Sequence, residues 1–408
     1  MAMPASSFDV TGLAVTVPST VQAGVPFFLG LRVLTTPYEV PASCQYPYPT
    51  VHSRFNVSPR QAVYMENVPP EWTGTIRIEG PDGCRGPAVF EFGDSWAGSY
   101  AGDRRPIARV GPFTLDAPGV HFLRCRDEDS GISAHSNPIE VLLRPPTQRL
   151  YWGDTHSQTI FSDGLRCPEE LFWFAREEAF LDFFALADHN ALLTDCQWRY
   201  FLDVTDEFND PGTFATLVGQ EWTCHEYGHR NIYYRGGDGP ILRHTDNRFN
   251  TLEKLFAAAR AQNALVIPHH SANRRMGCDW SLGHDPKVER LIEIYSLWGS
   301  SEMPDDQGNT RPIRANNGEK PGQHVRDALR RGYRCGLIGS GDIHDGRPGD
   351  CLHRFHDTPP TWPLHYDQGI VGIWTPQLTR ETLFDALWNR RCYATTGVRI
   401  LLKFTVDG

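Results

Sequence analysis

The chain has 408 residues, of which 40% are hydrophobic and 22% charged, with a formal net charge of −10 and a pI near 5.9. This composition excludes a disordered tail, a collagen and a coiled coil. No apolar run reaches the roughly 20 residues that a membrane helix needs. The acidic balance argues against a general nucleic-acid binder, for which a basic patch is typical. We therefore expect neither a membrane nor a nucleic-acid partner.

The N-terminus and the cysteines bear on location. The first ten residues lack the charged and apolar segments of a secretory signal. The ten cysteines are scattered singly, and none has the CxxC spacing of a zinc knuckle or a redox pair. Reduced thiols in a cytoplasmic protein are the interpretation that these features favour.

Residues 1–147 are predicted to form an all-β, immunoglobulin-like sandwich domain. Short β-branched or aromatic runs alternate with turns that contain Gly and Pro, and no amphipathic helix pattern interrupts them. The predicted strands are 13–17, 26–33, 74–78, 88–92, 119–124 and 139–143. Two consecutive prolines at 145–146 predict a stiff linker. We place the domain boundary there.

Residues 148–408 are predicted to form an α/β domain, because strand and helix patterns alternate from this point. The predicted strands after the one at 151–152 are 181–187, 214–218, 264–267, 291–295 and 336–338. The predicted helices are 168–180, 251–262 and 323–331. Such alternation indicates a parallel sheet or barrel, whose chemistry lies in the loops at the strand C-termini. A last strand-like run covers 398–405.

Histidines are concentrated in this second region, since thirteen of the sixteen follow residue 150. Five predicted strand ends each deliver His, Asp or Glu. These residues are His156 and Asp163, His189, Glu221 and His229, His269, and Asp342 and His344. Mixed imidazole and carboxylate ligands suit Zn, Mn or Fe, and carboxylates can bridge two ions. The residues alone therefore predict a multinuclear metal hydrolase with a barrel-like fold.

Several of these segments resemble the signature series of the PHP (polymerase and histidinol phosphatase) domain. The segments are Asp154-x-His156, Ser162-Asp163-Gly164, Asp188-His189-Asn190, Gly228-His229, Pro268-His269 and Asp342-x-His344. Residues 378–397 resemble one uncharacterised PHP-like branch, a domain of unknown function. The resemblance covers about residues 150–400. It implies a distorted (β/α)7 barrel with two or three divalent ions at its mouth, and phosphoesterase activity on small phosphorylated metabolites.

The resemblance also implies three ligand groups. The first is His156, Glu221 and Asp342; the second is Asp163, His189 and His344; the third is His229 and His269, with Glu221 bridging. Gln158 stands where the family usually has histidine, and we count it among the metal-binding residues. A glutamine oxygen is a poorer donor to zinc, so the first site is expected to be weaker and better suited to Mn.

His270, His225 and Arg274 are the candidate catalytic residues. Either histidine could ligate a metal, act as a general acid or be a bystander. No nucleophilic Ser or Cys is required, because a metal-bound hydroxide forms near neutral pH. Guanidinium groups match phosphoryl oxygens geometrically, although a surface salt bridge is the alternative role for each arginine. The arginines considered for this contact are Arg274, Arg275, Arg230 and Arg347.

The leading hypothesis is a metal-dependent phosphoesterase acting on a small phosphorylated molecule. One alternative is a metal-dependent hydrolase of an amide, lactone or C–C bond, and another is a binding protein with a degenerate PHP site. Asp154 and Asp188 either orient the ligands or form Asx turns. The predicted loops 236–250 and 345–367 are long enough to shape substrate choice. The sequence leaves the oligomeric state open.

Overall fold

The computed structural model describes residues 9–36, 38–39, 65–66, 68–69, 71–93, 105–164, 166–350 and 366–405. Within these residues the chain divides into two compact units. The first comprises the described residues up to 150 together with 399–405, and the second comprises 151–398. The run 399–405, which the predicted boundaries assign to the second domain, thus belongs to the first unit, and it forms no strand there.

The first unit is built from β-strands. Its strands are β1 (Val10–Thr16), β2 (Thr20–Gln22), β3 (Phe27–Thr35), β4 (Tyr38–Glu39), β5 (Met65–Glu66), β6 (Gly74–Glu79), β7 (Val89–Phe92), β8 (Ile107–Phe113), β9 (Gly119–His121), β10 (Arg124–Asp127), β11 (Ser133–His135) and β12 (Ile139–Leu142). They form sheets with the orders β1-β3-β8, β11-β10-β6-β7, β2-β12-β9 and β4-β5. Pairing is antiparallel except between β2 and β12.

Alternate apolar residues of these strands meet in one core. Leu29 and Leu31 of β3 and Ile76 and Ile78 of β6 are all buried in the same cluster, as the period-two pattern requires. The predicted strand 119–124 is two strands, because β9 pairs with β12 whereas β10 pairs with β6. The run therefore passes from one sheet to another.

The second unit combines strands and helices. Its strands are β13 (Arg149–Asp154), β14 (Phe183–Ala185), β15 (Ala215–Trp222), β16 (Arg230–Tyr234), β17 (Leu265–Pro268), β18 (Leu291–Ser296), β19 (Gly299–Ser300), β20 (Gly336–Gly339), β21 (Ile370–Thr375) and β22 (Cys392–Thr395). Its α-helices are α1 (Pro168–Trp173), α2 (Asp195–Glu207), α3 (Leu252–Gln262), α4 (Val325–Arg330) and α5 (Arg380–Trp388). A π-helical turn, Phe174–Glu178, continues α1, and a 3-10 turn spans Asp305–Gln307.

The main sheet of this unit has seven strands in the order β17-β16-β15-β14-β13-β21-β22, and it is curled. A second sheet has the order β19-β18-β20, in which β18 packs beside β17 and β20 beside β22. Strands β13, β14 and β15 are parallel, but β16 is antiparallel to both β15 and β17. The expected parallel sheet is therefore mixed. The connection 223–229 between β15 and β16 is too short for the crossover that a parallel pair needs.

The central strands are buried on both faces, which explains their continuous apolar sequences. In β14, Phe183 and Ala185 belong to one hydrophobic cluster and Phe184 to another. Because both faces are covered, a polar side chain in this sheet is an exception. Such exceptions occur near the ends of the strands and mark the site described next. Helices in the described part of the chain are all too short or too polar to cross a membrane.

Candidate metal centre

Glu221, near the end of β15, is the centre of a cluster of polar side chains. Its side chain is 1% exposed. Oε1 lies 2.8 Å from Nδ1 of His229 and 3.5 Å from Nε2 of His269. Oε2 lies 3.1 Å from Nδ1 of His189 and 3.4 Å from Nε2 of His156. One carboxylate therefore contacts histidines from four different loops, as a bridging ligand would.

Three groups of side chains could each hold a metal ion. Within each group the ligand atoms lie within 4.8 Å of one another. The groups are Asp163 with His189 and His344, His156 with His269 and Asp342, and His229 with His269 and His270. The first of these is the second ligand group implied by sequence. The other two share His269, and the third also includes His270, which sequence reasoning left as a spare neighbour.

The buried polar atoms of these groups fit a cation better than a closed hydrogen-bond network. Nε2 of His229, Nδ1 of His269, Nδ1 of His270 and Oδ2 of Asp342 are buried without a hydrogen-bond partner. Buried polar groups without partners are uncommon and costly. A divalent ion would satisfy imidazole nitrogens and carboxylate oxygens together. The donor set has no thiolate, which favours Zn, Mn or Fe in a reactive site over a structural zinc.

The protonation states of His229, His270 and Glu221 suit metal binding. At His156, His189 and His344, burial lowers the pKa but the neighbouring carboxylates outweigh it and raise the pKa above its ordinary value. Burial lowers the pKa of His229 to about 4, against the attraction of Glu221. Burial, with His269 and His229 nearby, holds the pKa of His270 well below its ordinary value. Burial opposes ionisation of Glu221, but the surrounding histidines outweigh it and keep its pKa well below the ordinary value. Neutral imidazoles and an ionised carboxylate are the forms that bind metals.

Two candidate ligands have strained backbones. His270 has φ 32° and Asp342 has φ 52°, in the left-handed region that residues other than glycine rarely adopt. The amide of Asp342 donates to the carbonyl of His156 at 2.7 Å, which holds the turn in place. Strain of this kind costs on the order of 1–3 kcal/mol and is typical of functional sites.

Asp154 and Asp188 anchor the loops that carry the ligands. Oδ1 of Asp154 accepts from the amides of His156 and Gly341, at 3.0 and 2.8 Å. Oδ1 of Asp188 accepts from the amide and hydroxyl of Thr159 and from the hydroxyl of Ser162. Asp154 thus combines an Asx turn with a contact between two loops. Burial raises the pKa of Asp154 to about 7 and that of Asp188 to about 6.

Glu293, in the middle of β18, contacts the cluster and is a residue that sequence reasoning missed. It is 1% exposed, and its Oε2 lies 3.0 Å from Nδ1 of His156. Its carboxylate contacts Nδ1 of His156, whose Nε2 lies 3.4 Å from Oε2 of Glu221 and 3.3 Å from Oδ1 of Asp342. The available signal was a charged residue inside an otherwise apolar strand sequence.

Gln158 lies in the cluster, and its role as a metal ligand stays a prediction. Its Nε2 donates to Oε2 of Glu221 at 2.6 Å, and its Oε1 accepts from the hydroxyl of Ser162 at 2.7 Å and the amide of His189 at 3.2 Å. Both ends of the amide are therefore engaged. Gln158 thereby orients Glu221 and contacts the backbone of His189.

A cleft of about 800 Å³ opens above the clusters, within the size range of small-molecule sites. Asp163, Glu221 and Asp342 lie among its lining residues together with the candidate ligand histidines His189, His229, His270 and His344. The remaining walls include Leu192, His225, His244, Arg275, Met276 and Trp298. His225 thus lies on the cleft as expected, 5.2 Å from His229 between ring centroids. His244, from the predicted loop 236–250, is a lining residue that sequence reasoning did not single out.

A family described as protein of unknown function, DUF3604, matches residues 169–358 and 353–407. The chain belongs to this family. An uncharacterized protein of Chlamydia pneumoniae is 28% identical over 296 residues, which cover 72% of this chain and 46% of that protein. Uncharacterized proteins of Chlamydia muridarum and Chlamydia trachomatis are each 27% identical over 297 residues, with the same coverage. The chain spans about half the length of these relatives. No solved structure matches it.

The DUF3604 match includes most of the cluster. His189, Glu221, His229, His269, Asp342 and His344 lie within the matched residues, as does Glu293. His156, Gln158 and Asp163 precede them. The described structure brings these two parts of the chain together, since Asp163 lies 3.1 Å from His189 and 3.4 Å from His344.

The arginines of this DUF3604 protein differ from expectation. Arg274, a predicted catalytic residue, donates to the carbonyls of Asn317 and Glu319 at 3.0 and 2.7 Å and does not line the cleft. Its neighbour Arg275 does. Arg230 is fully buried and paired with Glu289 at 2.7 Å, so it is unavailable to a phosphate. Arg347 is likewise buried and outside the cleft.

Proposed function

We propose that this DUF3604 protein is a metal-dependent hydrolase of PHP type, and that its substrate is a small phosphoester. The supporting observation is the set of three ligand groups around Glu221, at the floor of a cleft of small-molecule size. The curled sheet, with β18 beside β17 and β20 beside β22, is compatible with a distorted barrel. An immunoglobulin-like sandwich remains our proposal for the first unit.

Divalent ions bound here would supply Lewis acidity and lower the pKa of water. Manganese, zinc and iron are the metals that this donor set suits. Glu221 would lie between the ions, while Glu293 and Gln158 would hold His156 and Glu221 in orientation. His225 and His270 lie on the same cleft and are the candidates for proton transfer, although His270 has the alternative role of ligand in the third group.

The alternative that keeps the metals is hydrolysis of an amide, lactone or C–C bond, because ligand geometry does not itself select phosphorus. The alternative of a degenerate binding protein rested on Gln158. The contact of Gln158 with Glu221 weakens that argument, since the glutamine belongs to the cluster. The curated relatives are uncharacterized and longer than this chain.

The free thiols of all eight described cysteines suit a reducing compartment, and the cytoplasm remains our proposed location.

Two measurements test the proposed function. Metal analysis of protein purified without chelators should find at least one bound transition metal. Screening p-nitrophenyl phosphate mono- and diesters against carboxylic esters and amides should show phosphoester cleavage first. Asp342→Ala and His269→Ala should each abolish turnover. Metal-free protein would contradict the enzyme hypothesis, whereas a clear preference for a non-phosphorus substrate would support the alternative hydrolase.

A further inference from the structure

The cleft has two chemically different ends. At the floor lie the carboxylates Asp163, Glu221 and Asp342 with the candidate ligand histidines. Loaded with two or three divalent ions, this floor would attract one anionic group. Along the wall lies Arg275, which is the one arginine or lysine among the described lining residues. Its guanidinium has no hydrogen-bond or ion-pair partner in the described part of the chain, although its backbone amide donates to Asn273.

Arg275 and His225 line the same cleft as the candidate ligands. Arg275 faces His225, whose pKa is lowered by burial and then by the charge of the guanidinium. His225 in turn lies 5.2 Å from the candidate ligand His229 between ring centroids. The imidazole of His225 therefore lies near both Arg275 and the candidate ligands. A single anionic group bound at the floor would leave the guanidinium available.

The wall between these ends suits the uncharged body of a molecule. Leu192, Met276 and Trp298 line it. The Trp298 ring lies 6.2 Å from both His270 and His344, so it spans two of the candidate ligand groups. Apolar walls with a few polar groups at defined positions are typical of sites that orient small molecules.

We propose that Arg275 binds a second anionic group of the substrate, so that the substrate class is a small molecule with an acid group, carboxylate or phosphate, apart from its scissile phosphoester. This inference rests on the proposed function and specifies its substrate. A planar guanidinium binds either acid through paired hydrogen bonds. The metal-loaded floor and the arginine would then fix the molecule at two points, which sets its orientation.

Hydrolysis-resistant probes test this on the full-length, manganese-loaded protein. Isothermal titration calorimetry would compare plain alkylphosphonates with ω-carboxy-alkylphosphonates and α,ω-bisphosphonates of three to six carbons. We expect at least one length with a second acid group to bind about tenfold more tightly than the plain phosphonate, as a charge-assisted hydrogen bond to the exposed Arg275 guanidinium would give. The carboxylate and bisphosphonate arms distinguish the two kinds of second anion.

Variants test whether the preference for a second acid group depends on the side chain of Arg275. Arg275→Gln should abolish the tenfold preference while leaving the plain phosphonate affinity unchanged, and Arg275→Lys should retain part of it. Arg248→Gln removes an equal charge from an exposed arginine that pairs with Asp246 and lies off the cleft, so it should retain the full preference. Equal binding of plain and bifunctional probes by the natural protein would overturn the proposal. So would an equal loss of both affinities in Arg275→Gln, because the arginine would then share the phosphonate at the floor.

The binding of alkyl mono- and dicarboxylates distinguishes failure of the second-anion proposal from failure of the phosphoesterase proposal. If no phosphonate binds but dicarboxylates bind more tightly than monocarboxylates, in a manner that needs Arg275, the second-anion site stands and the phosphoesterase proposal fails. If plain phosphonates bind and a second acid adds nothing, the second-anion proposal fails alone. If neither series binds, both are overturned.

Discussion

Glu293 differs from the other carboxylates near the cluster, because it contacts Nδ1 of His156, whereas Glu221 and Asp342 contact Nε2 of the same ring. Glu293→Gln keeps the side-chain volume and an oxygen that can accept from His156, but it removes the negative charge. Such outer partners typically change metal affinity by 10- to 100-fold. We expect manganese affinity at the weakest detectable site to fall by about tenfold, measured by calorimetry.

The unfolding of the metal-free Glu293→Gln protein is the control for this prediction. Its transition should lie close to that of the natural protein, since the fold retains the same packing. Unchanged metal stoichiometry and affinity would mean that Glu293 has no positioning role.

Gln158 allows a test based on charge. Gln158→Glu would bring a second carboxylate to the position now 2.6 Å from Oε2 of Glu221. Two buried carboxylates at this distance repel unless a proton or a cation lies between them. We expect a lower melting temperature in chelator and a larger rise on adding Mn²⁺ than in the natural protein, measured by calorimetry.

Gln220→Glu is the matched control for this second variant. Gln220 lies on β15 and is fully buried, as Gln158 is. Its amide forms hydrogen bonds with Asn190, Leu242, Tyr234 and Pro240, away from the cluster. This variant should also be destabilised, yet Mn²⁺ should restore no more stability than it gives the natural protein. Equal metal rescue of both variants would contradict a local effect at Glu221.

For single residues, the sequence identifies the types of side chain in the site well but predicts their orientations poorly. The histidines and carboxylates that follow strands come together because strand ends meet at one edge of a sheet. Nothing in the sequence distinguishes Arg274 from Arg275, whose different directions depend on the loop carbonyls of Asn317 and Glu319. Glu293 was overlooked because a search of strand ends omits residues in the middle of a strand.

Among the elements, α3 has the clearest sequence determinants. The hydroxyl of Thr251 accepts from the amide of Lys254 at its start, and Leu252, Leu255, Phe256 and Ala259 form its buried face. The predicted helix 251–262 agrees with the observed one for this reason. By contrast, α2 was missed although Thr194 and Gln197 form a capping box at its start. The antiparallel direction of β16 depends on a short connection, which an expectation of repeated crossovers overlooks.

The end of α3 gives a prediction about stability. Asn263 ends this helix in the left-handed conformation, with φ 49°. Glycine adopts that conformation without a steric cost, and alanine does not. Asn263→Gly should raise the free energy of unfolding by about 0.5 kcal/mol, and Asn263→Ala should lower it by about 1 kcal/mol. Urea denaturation measures both changes.

Metal affinity is the control for the helix variants. Asn263 is outside the candidate ligand groups and the cleft lining, so both variants should bind Mn²⁺ with the affinity of the natural protein. Destabilisation by glycine would contradict the proposed conformational cause.

For the whole molecule, the candidate ligands all belong to one of its two units. A ligand that binds only the folded state stabilises the part of the protein that holds it. Hydrogen–deuterium exchange with and without EDTA should therefore show faster exchange within 151–398 after metal removal, especially at β15 and β17. The strands β3 and β6 of the first unit serve as the internal reference and should exchange at unchanged rates. Equal loss of protection in both units would mean that the metal stabilises more than its own unit.

The hydrogen bond from the amide of Gly341 to Asp154 joins positions 187 residues apart in sequence. Contacts of such high contact order form late in folding, because the entropy of closing the intervening chain must be overcome first. The loop that begins with His156 is synthesised before β20 and lacks this partner until β20 has left the ribosome. Until then the histidines and carboxylates of the cluster are separate, and the complete set is brought together only when β20 joins the sheet. A metal ion that needs the complete cluster would therefore bind only after the sheet has closed.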